Sequence, residues 1–273
     1  MRNVPVIVEM RHLFRLSTVF LGFAVSSFFT SSERSLGYLS QGNYLQESEA
    51  KAKEILAKVV ESLGGEAYLG FTDIHRTGRF YQFRKDDLQG GGRYQLYEKF
   101  PSKSRFELGK KGEIVNINDG DQGWKIEYKV VKIQSAEEIE NFQAALKHNL
   151  DYVLKYRRDE PGMKFRYLGK VRNGLNDLEG VQLIDKDNDR IKVYVDATTF
   201  LPVKAEFRSP PFGKKGPSDD ERQYYNFHLI DGIQFPFSTV RFSNGYKVSE
   251  FQVESVKLNQ GLSDALFTPD FKK

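Results

Sequence analysis

The side chains that ordinarily carry catalysis are few in this chain and poorly spaced for it. Its four histidines, His12, His75, His148 and His228, stand apart from one another. None forms H-x-x-x-H or H-E-x-x-H, the spacing that puts two imidazoles on one helix face for zinc. His148 falls near the polar side of a helical stretch and reads as a surface residue. The chain has 0 cysteines, which removes disulfides, thiolate metal sites, Cys nucleophiles and a lipid-modified Cys. No G-x-S-x-G nucleophile elbow occurs. Gly90, Gly91 and Gly92 precede neither a Lys-Ser/Thr pair nor a helix, so they read as a turn and not a phosphate loop. Asp185, Asp187 and Asp189 alternate but lack the Gly and the closing Glu of a calcium loop; a solvated hairpin turn is expected. Other carboxylates are plentiful, and glycoside hydrolysis needs only two facing each other across a cleft, but no spacing pairs them here. The expectation is therefore no covalent chemistry, no metal and no cofactor.

Composition narrows the classes further. The net charge of +4 is spread over 41 basic and 37 acidic residues. There is no basic stripe with interleaved aromatics, so no nucleic-acid partner is expected. Aromatics reach 14%, with 22 Phe and 14 Tyr, types that favour strands. At 273 residues there is room for one large β domain or two small ones. Charged residues are 29%, in keeping with a mature protein outside the bilayer.

The elements that would position these side chains follow from periodicity. Arg11 and Arg15 precede an apolar run, residues 16–29, followed by small residues, so residues 1–32 read as a signal peptide, with Met10 an alternative start. The run is short of the roughly 20 residues that span a bilayer. Residues 33–47 read as a linker. Ser48 then caps a helix whose stripe Ile55, Leu56, Val59, Val60 and Leu63 ends at Gly64-Gly65. Residues 71–128 alternate as a strand meander. Ser135 and Glu138 make a capping box for a second helix over 136–157, with Ile139, Phe142, Leu146, Leu150, Val153 and Leu154 as its stripe. This helix is expected across a concave sheet face. Strands resume over 163–207, a Pro- and Gly-rich loop spans 209–220, and three strands fill 224–267. Asp231-Gly232 and Asn244-Gly245 join those three, since both pairs adopt the positive φ angles of two-residue hairpin turns. About eleven antiparallel strands and two main helices result.

Several short motifs carry a family resemblance. Lys99-Phe100-Pro101 lies in the meander, followed by Asp119-Gly120 and Trp124. Val195-Asp196 precedes Leu201-Pro202-Val203, and a Tyr-rich strand leads to Asp231-Gly232-Ile233-Gln234-Phe235-Pro236. The chain closes with Leu262-Ser263-Asp264-Ala265-Leu266-Phe267. From Ser48 onward the chain resembles the LolA/LolB-like periplasmic lipoprotein-carrier superfamily, including outer membrane lipoprotein-sorting homologues. The resemblance implies a mainly β (α+β) fold over residues 48–273: one half-barrel domain, an unclosed antiparallel barrel curled around helices. It implies a periplasmic protein of a Gram-negative-type envelope that holds a hydrophobic ligand, a lipid or lipoprotein acyl chain, and meets an inner- or outer-membrane donor or acceptor protein. LolA-type carriers gate their cavity with an Arg and a Phe that fall here on Phe100 and Ser104; neither matches, so those roles are not carried over.

Strand parity and helix face select the lining candidates Phe106, Leu108, Trp124, Phe142, Leu146, Val193, Val195, Phe235 and Phe237. Each buried methylene is worth about 0.8 kcal/mol, so ~8 methylenes of an acyl chain gain roughly 6 kcal/mol before ordering costs. Two other readings stay open: an envelope scaffold or sensor whose concavity its own helices plug, and a hydrolase acting on an envelope polymer.

Overall fold

The structure is a computed structural model that describes residues 31–109, 112–211 and 216–269. The expected signal peptide and the alternative start at Met10 fall outside the described residues, apart from positions 31 and 32. So do residues 212–215 of the Pro- and Gly-rich loop. The chain divides into two units, Met1–Gln41 and Gly42–Lys273. What is described of the first is helix; all strands belong to the second.

Helices α1 (Ser31–Leu63) and α2 (Glu66–Gly70) come first. A meander follows: β1 (Asp73–Arg84), β2 (Asp87–Lys99), β3 (Lys103–Leu108), β4 (Ile114–Asp119), β5 (Gln122–Glu127) and β6 (Val130–Ile133). Then come α3 (Ala136–Lys147), α4 (Leu150–Lys155) and a 3-10 turn, Arg157–Asp159. The second set of strands is β7 (Lys164–Asn173), β8 (Asn176–Ile184), β9 (Arg190–Asp196), β10 (Pro202–Ser209), β11 (Ser218–Ile230), β12 (Ile233–Ser243) and β13 (Tyr246–Leu258), before a 3-10 turn at Asp264–Phe267. All thirteen join one antiparallel sheet in the order β6-β5-β4-β3-β2-β1-β13-β12-β11-β10-β9-β8-β7. The first and last strands to form hairpins, β1 and β13, meet in the middle, and β6 and β7 are left as edges. The sheet is thus an unclosed barrel.

Its core forms where α1, α2 and α4 pack on one face. Ala52, Ile55, Val59 and Leu63 recur at helical spacing and are buried with Tyr68, Val153 and Leu154 against Ile191, Val193, Val195, Ala205, Ile233 and Phe235. The opposite side of α1 is held by exposed pairs such as Lys58–Glu54, which add only tenths of a kcal/mol each. Gly64 and Gly65, at φ 129° and 59°, end the helix as expected. A smaller cluster, Val115, Ile117 and Phe267, packs with Trp124 at the other end of the sheet.

Several expectations need correction. Residues 33–47, polar but free of proline, lie within α1. Ser48 is therefore not a cap; its hydroxyl accepts a hydrogen bond from Tyr167 N at 3.0 Å. Gly90 to Gly92 are inside β2, and the turn is Lys85-Asp86, both at positive φ. Strand β6 raises the count because Tyr128-Lys129 makes a positive-φ turn without the Gly or Asn that would announce it.

The helix expected over 136–157 is two helices. Asn149 Oδ1 accepts from Asp151 N and Tyr152 N, starting α4 afresh. The carbonyls freed at the end of α3 find cationic donors instead: Arg222 reaches His148 O at 3.0 Å and Ala145 O at 3.4 Å, and Arg157 reaches Lys147 O at 2.8 Å. Guanidinium groups suit that site because the C-terminus of a helix carries partial negative charge. The capping box at the other end of α3 is present: Ser135 Oγ accepts from Glu138 N, and the Glu138 carboxylate accepts from Ser135 N.

His148 also departs from expectation. It is 3% exposed, its ring stacked on Phe207 with centroids 4.4 Å apart and its Nε2 3.0 Å from both carboxylate oxygens of Asp189. The turn over 186–189 forms, but Asp185 is not solvated: it accepts from Asp187 N, Asp189 N and the Arg157 guanidinium.

Candidate functional site

Helix α3 has no buried residue, although it carries an apolar stripe. Its two sides look onto different spaces. Glu140, Gln143, Ala144 and Lys147 border an open groove of about 1370 Å³, whose other lining residues include Asp187, Arg190, Arg208 and Asp219. The groove is of mixed sign and several of its charges pair with one another, so it selects for nothing in particular. Phe142, Ala145 and Leu146 instead border a smaller cavity of about 330 Å³ between α3 and the sheet.

The cavity wall is aromatic. Tyr94 on β2, Phe106 on β3 and Phe251 on β13 form a mutually packed set with Phe80, their centroids 4.9 to 6.2 Å apart. Phe235 closes another side, touching Phe71 edge to face at 5.7 Å. These rings meet because β1 and β13 bring the two halves of the chain together: Phe251 lies opposite Phe80 on one side and opposite Thr239 on the other.

The floor is polar. Antiparallel register sets Arg222 directly opposite Arg241, and Arg241 directly opposite Ser249. The neighbouring row is Tyr224, Thr239 and Phe251. Arg76 and Glu98 form a close ion pair on the far wall, and Asp151 accepts a hydrogen bond from Tyr68 Oη at 2.8 Å. Burial pushes the Tyr224 hydroxyl up to about 12. It also pulls Arg241 down to about 10, aided by the charge of Arg222, while Asp220 and Tyr224 act the other way.

Of the nine lining candidates, the structure brings Phe106, Phe142, Leu146 and Phe235 together around this cavity. The other five lie elsewhere. Val193 and Val195, 0% and 1% exposed, belong to the core cluster that includes the α1 stripe and do not line the cavity. Trp124 belongs to the cluster around Phe267, because β5 is next to the edge strand β6. Leu108 ends β3 between Tyr94 and Ile114, away from the cavity lining. Phe237 stacks on His228 at 4.2 Å.

The polar floor was not selected from sequence, yet a signal existed. The parity that turns Ile233 and Phe235 inward continues through Thr239 to Arg241, placing a charge on the inward face of a strand. Among the described residues no group of three or more His, Cys, Asp or Glu is arranged to hold a metal ion, and no helix is long and apolar enough to cross a membrane.

An open antiparallel barrel with helices on its inner face and a cavity beneath one of them defines the LolA-like fold, and this chain has it. It is similar over 81% of its length to 98% of a LolA superfamily protein from Nitrosomonas europaea, at 19% identity and a TM-score of 0.53. A DUF1329 family protein from Desulfovibrio piger matches with 14% identity and TM-score 0.56, covering 80% of this chain and 97% of that one. A domain from Vibrio parahaemolyticus, described as an outer membrane lipoprotein-sorting protein, matches with 15% identity and TM-score 0.53 over 79% and 97%. No family model matches the sequence, and no curated protein matches it.

Proposed function

We propose that this protein is a periplasmic carrier or binding protein for a hydrophobic ligand, a lipid or lipoprotein acyl chain, which it holds without covalent chemistry and exchanges with a membrane-bound donor or acceptor. One observation carries the reading. The apolar face of α3 does not close onto the sheet but leaves about 330 Å³ between Phe142 and Leu146 on one side and Phe106 and Phe235 on the other. That volume is near the lower end of the roughly 300–1,000 Å³ typical of small-ligand sites, enough for a single chain. The wall offers apolar surface whose burial gains about 25 cal/mol per Å². The helix above it buries no residue and is held by a few polar contacts, the Lys125–Glu138 ion pair, Gln143 to Gly120 O and the arginine-bound carbonyls, which suits an element that must yield to a ligand.

Native mass spectrometry of the protein purified from the envelope tests this. The expected result is an added mass released by organic solvent and identifiable as a lipid. Recovery of the bare chain, together with no uptake of a fluorescent fatty acid, would overturn it.

A further inference from the structure

The cavity floor has more hydrogen-bonding capacity than the protein uses. Arg222 spends its Nη atoms on the α3 carbonyls, but its Nε is buried without a partner, as is Tyr224 Oη. Ser249 Oγ, opposite Arg241 but outside the cavity lining, is likewise buried without one. Arg241, between Arg222 and Ser249, lines the cavity, and its side chain forms neither an ion pair nor a hydrogen bond with any described residue. Like charges directly opposite across two strands repel, and buried polar groups are as a rule satisfied. Such a row is costly unless something negative sits on it.

The carboxylates nearby do not fill that role. Glu98 is taken by Arg76, and Asp151 by Tyr68. Asp220, on the same face of β11 as Arg222, accepts from Ser209 Oγ at 2.7 Å through Oδ2, while its Oδ1 is buried without a partner. Its charge acts on Arg241 from a distance, but it borders the outer groove and not the cavity and makes no ion pair with either arginine. The lining therefore sets three guanidinium groups, Arg76, Arg222 and Arg241, against only two carboxylates, Glu98 and Asp151. The balance is one positive charge, and of the three Arg241 is the guanidinium with no side-chain hydrogen bond to a described residue, while Arg76 bonds Glu98 and Arg222 bonds the α3 carbonyls.

We infer that the ligand is an anionic amphiphile whose carboxylate or phosphate head group is bound by Arg241, with Tyr224 as a neutral donor, and whose chain lies against Phe106, Phe251 and Phe142. The inference rests on the carrier reading. A planar guanidinium suits an oxyanion because two parallel N–H bonds can reach it at once, and the apolar wall gives the alkyl chain its own contribution.

Calorimetric titration of the delipidated full-length protein with decanoate, decyl phosphate and decanol separates the terms. Either anion is expected to bind at least about tenfold tighter than decanol, as one charge-assisted hydrogen bond implies. The ratio between the two anions assigns the head group as carboxylate or phosphate. Arg241→Gln should abolish the preference for the anions over decanol, and Arg241→Lys should retain part of it. Equal binding of decanol and both anions overturns the head-group assignment and leaves the carrier reading standing. So does an Arg241→Gln protein that keeps its decanoate affinity, the result expected if Arg241 serves Asp220. If no alkyl probe binds at all, the carrier reading itself falls. Should Arg241→Gln not fold, the wild-type comparison of the three probes decides.

Discussion

Arg157 holds two carboxylates and a helix end at once. Only 3% exposed, it donates to Asp185 at 2.7 Å, to Asp189 at 3.4 Å and to Lys147 O at 2.8 Å. Replacing it with Met would leave Asp185 buried without a counter-charge, and breaking a buried pair in this way costs about 3–5 kcal/mol. Urea denaturation should show that loss, with the slope of the transition unchanged. Asp189 adds a dependence on pH. Burial alone would raise its pKa, but the hydrogen bond to His148 and the charges of His148 and Arg157 outweigh burial and hold it below 3.8. A carboxylate with a depressed folded pKa contributes stability that is fully present above its unfolded value and is lost as pH falls through the folded one. Stability should therefore decline below about pH 3.8 more steeply in the wild type than in Asp189→Asn, read from denaturation midpoints between pH 5 and 2.

Among the elements, α3 and α4 have different attachments although they look like one helix in the sequence. Leu150, Val153 and Leu154 bury α4 in the main core, whereas α3 buries nothing. Asn149 marks the break by capping α4. Asn149→Ala should cost about 1 kcal/mol of global stability, as loss of an N-cap does, measurable by chemical denaturation. Local stability follows buried contacts, so amides of α3 should exchange with solvent at lower free energy than those of α4 or β12. Hydrogen-exchange mass spectrometry can rank the three. Equal protection of α3 and α4 would mean that α3 is locked in place and cannot admit a chain. Strand β1 shows the opposite extreme. A side chain at Gly78 would meet Gln252 O at 2.0 Å, where the β1–β13 register shifts, so the junction between the two halves of the sheet tolerates only glycine there.

At the scale of the molecule, one sheet serves two ends. One part of it is covered by α1, α2 and α4 as the main apolar core, and the portion under α3 is left with space. A ligand that binds only the folded state adds RT ln(1 + [L]/Kd), about 2.7 kcal/mol at a hundredfold excess over Kd. An alkyl ligand should accordingly raise the melting temperature by several degrees, about 2–4 °C per kcal/mol for a domain of this size. The shift should shrink when Phe106 or Phe142 is replaced by Ala and remain when Trp124 is. A shift lost equally with Trp124→Ala would place the ligand at the Phe267 cluster instead.

Much of this architecture is set by short-range chemistry. Asp231-Gly232 and Asn244-Gly245 fix two hairpins because few other pairs accept positive φ twice in succession, and both occur at φ 49° and 81°. The α1 stripe and the Ser135–Glu138 box are likewise local patterns, legible from spacing alone. The break at His148-Asn149 was not, because it depends on Arg157 and Arg222 arriving from elsewhere to take the α3 carbonyls. The same holds for burial of His148, which needs Asp189 and Phe207. Parity showed that Phe235 faces inward, but not whether it would meet core or space, and it gave Val193 and Phe106 the same standing. Which of them lines a cavity was decided by α1 filling the concavity over β9 and α3 standing off from β3 and β12. The row Arg222, Arg241, Ser249 exists only through strand register, a product of pairing across three strands. Sequence by itself determined the C-terminal hairpins, the helix faces and an antiparallel sheet, which the family resemblance alone made an open one. Tertiary structure alone decided where that sheet is left unfilled and which charge is left unpaired in the gap.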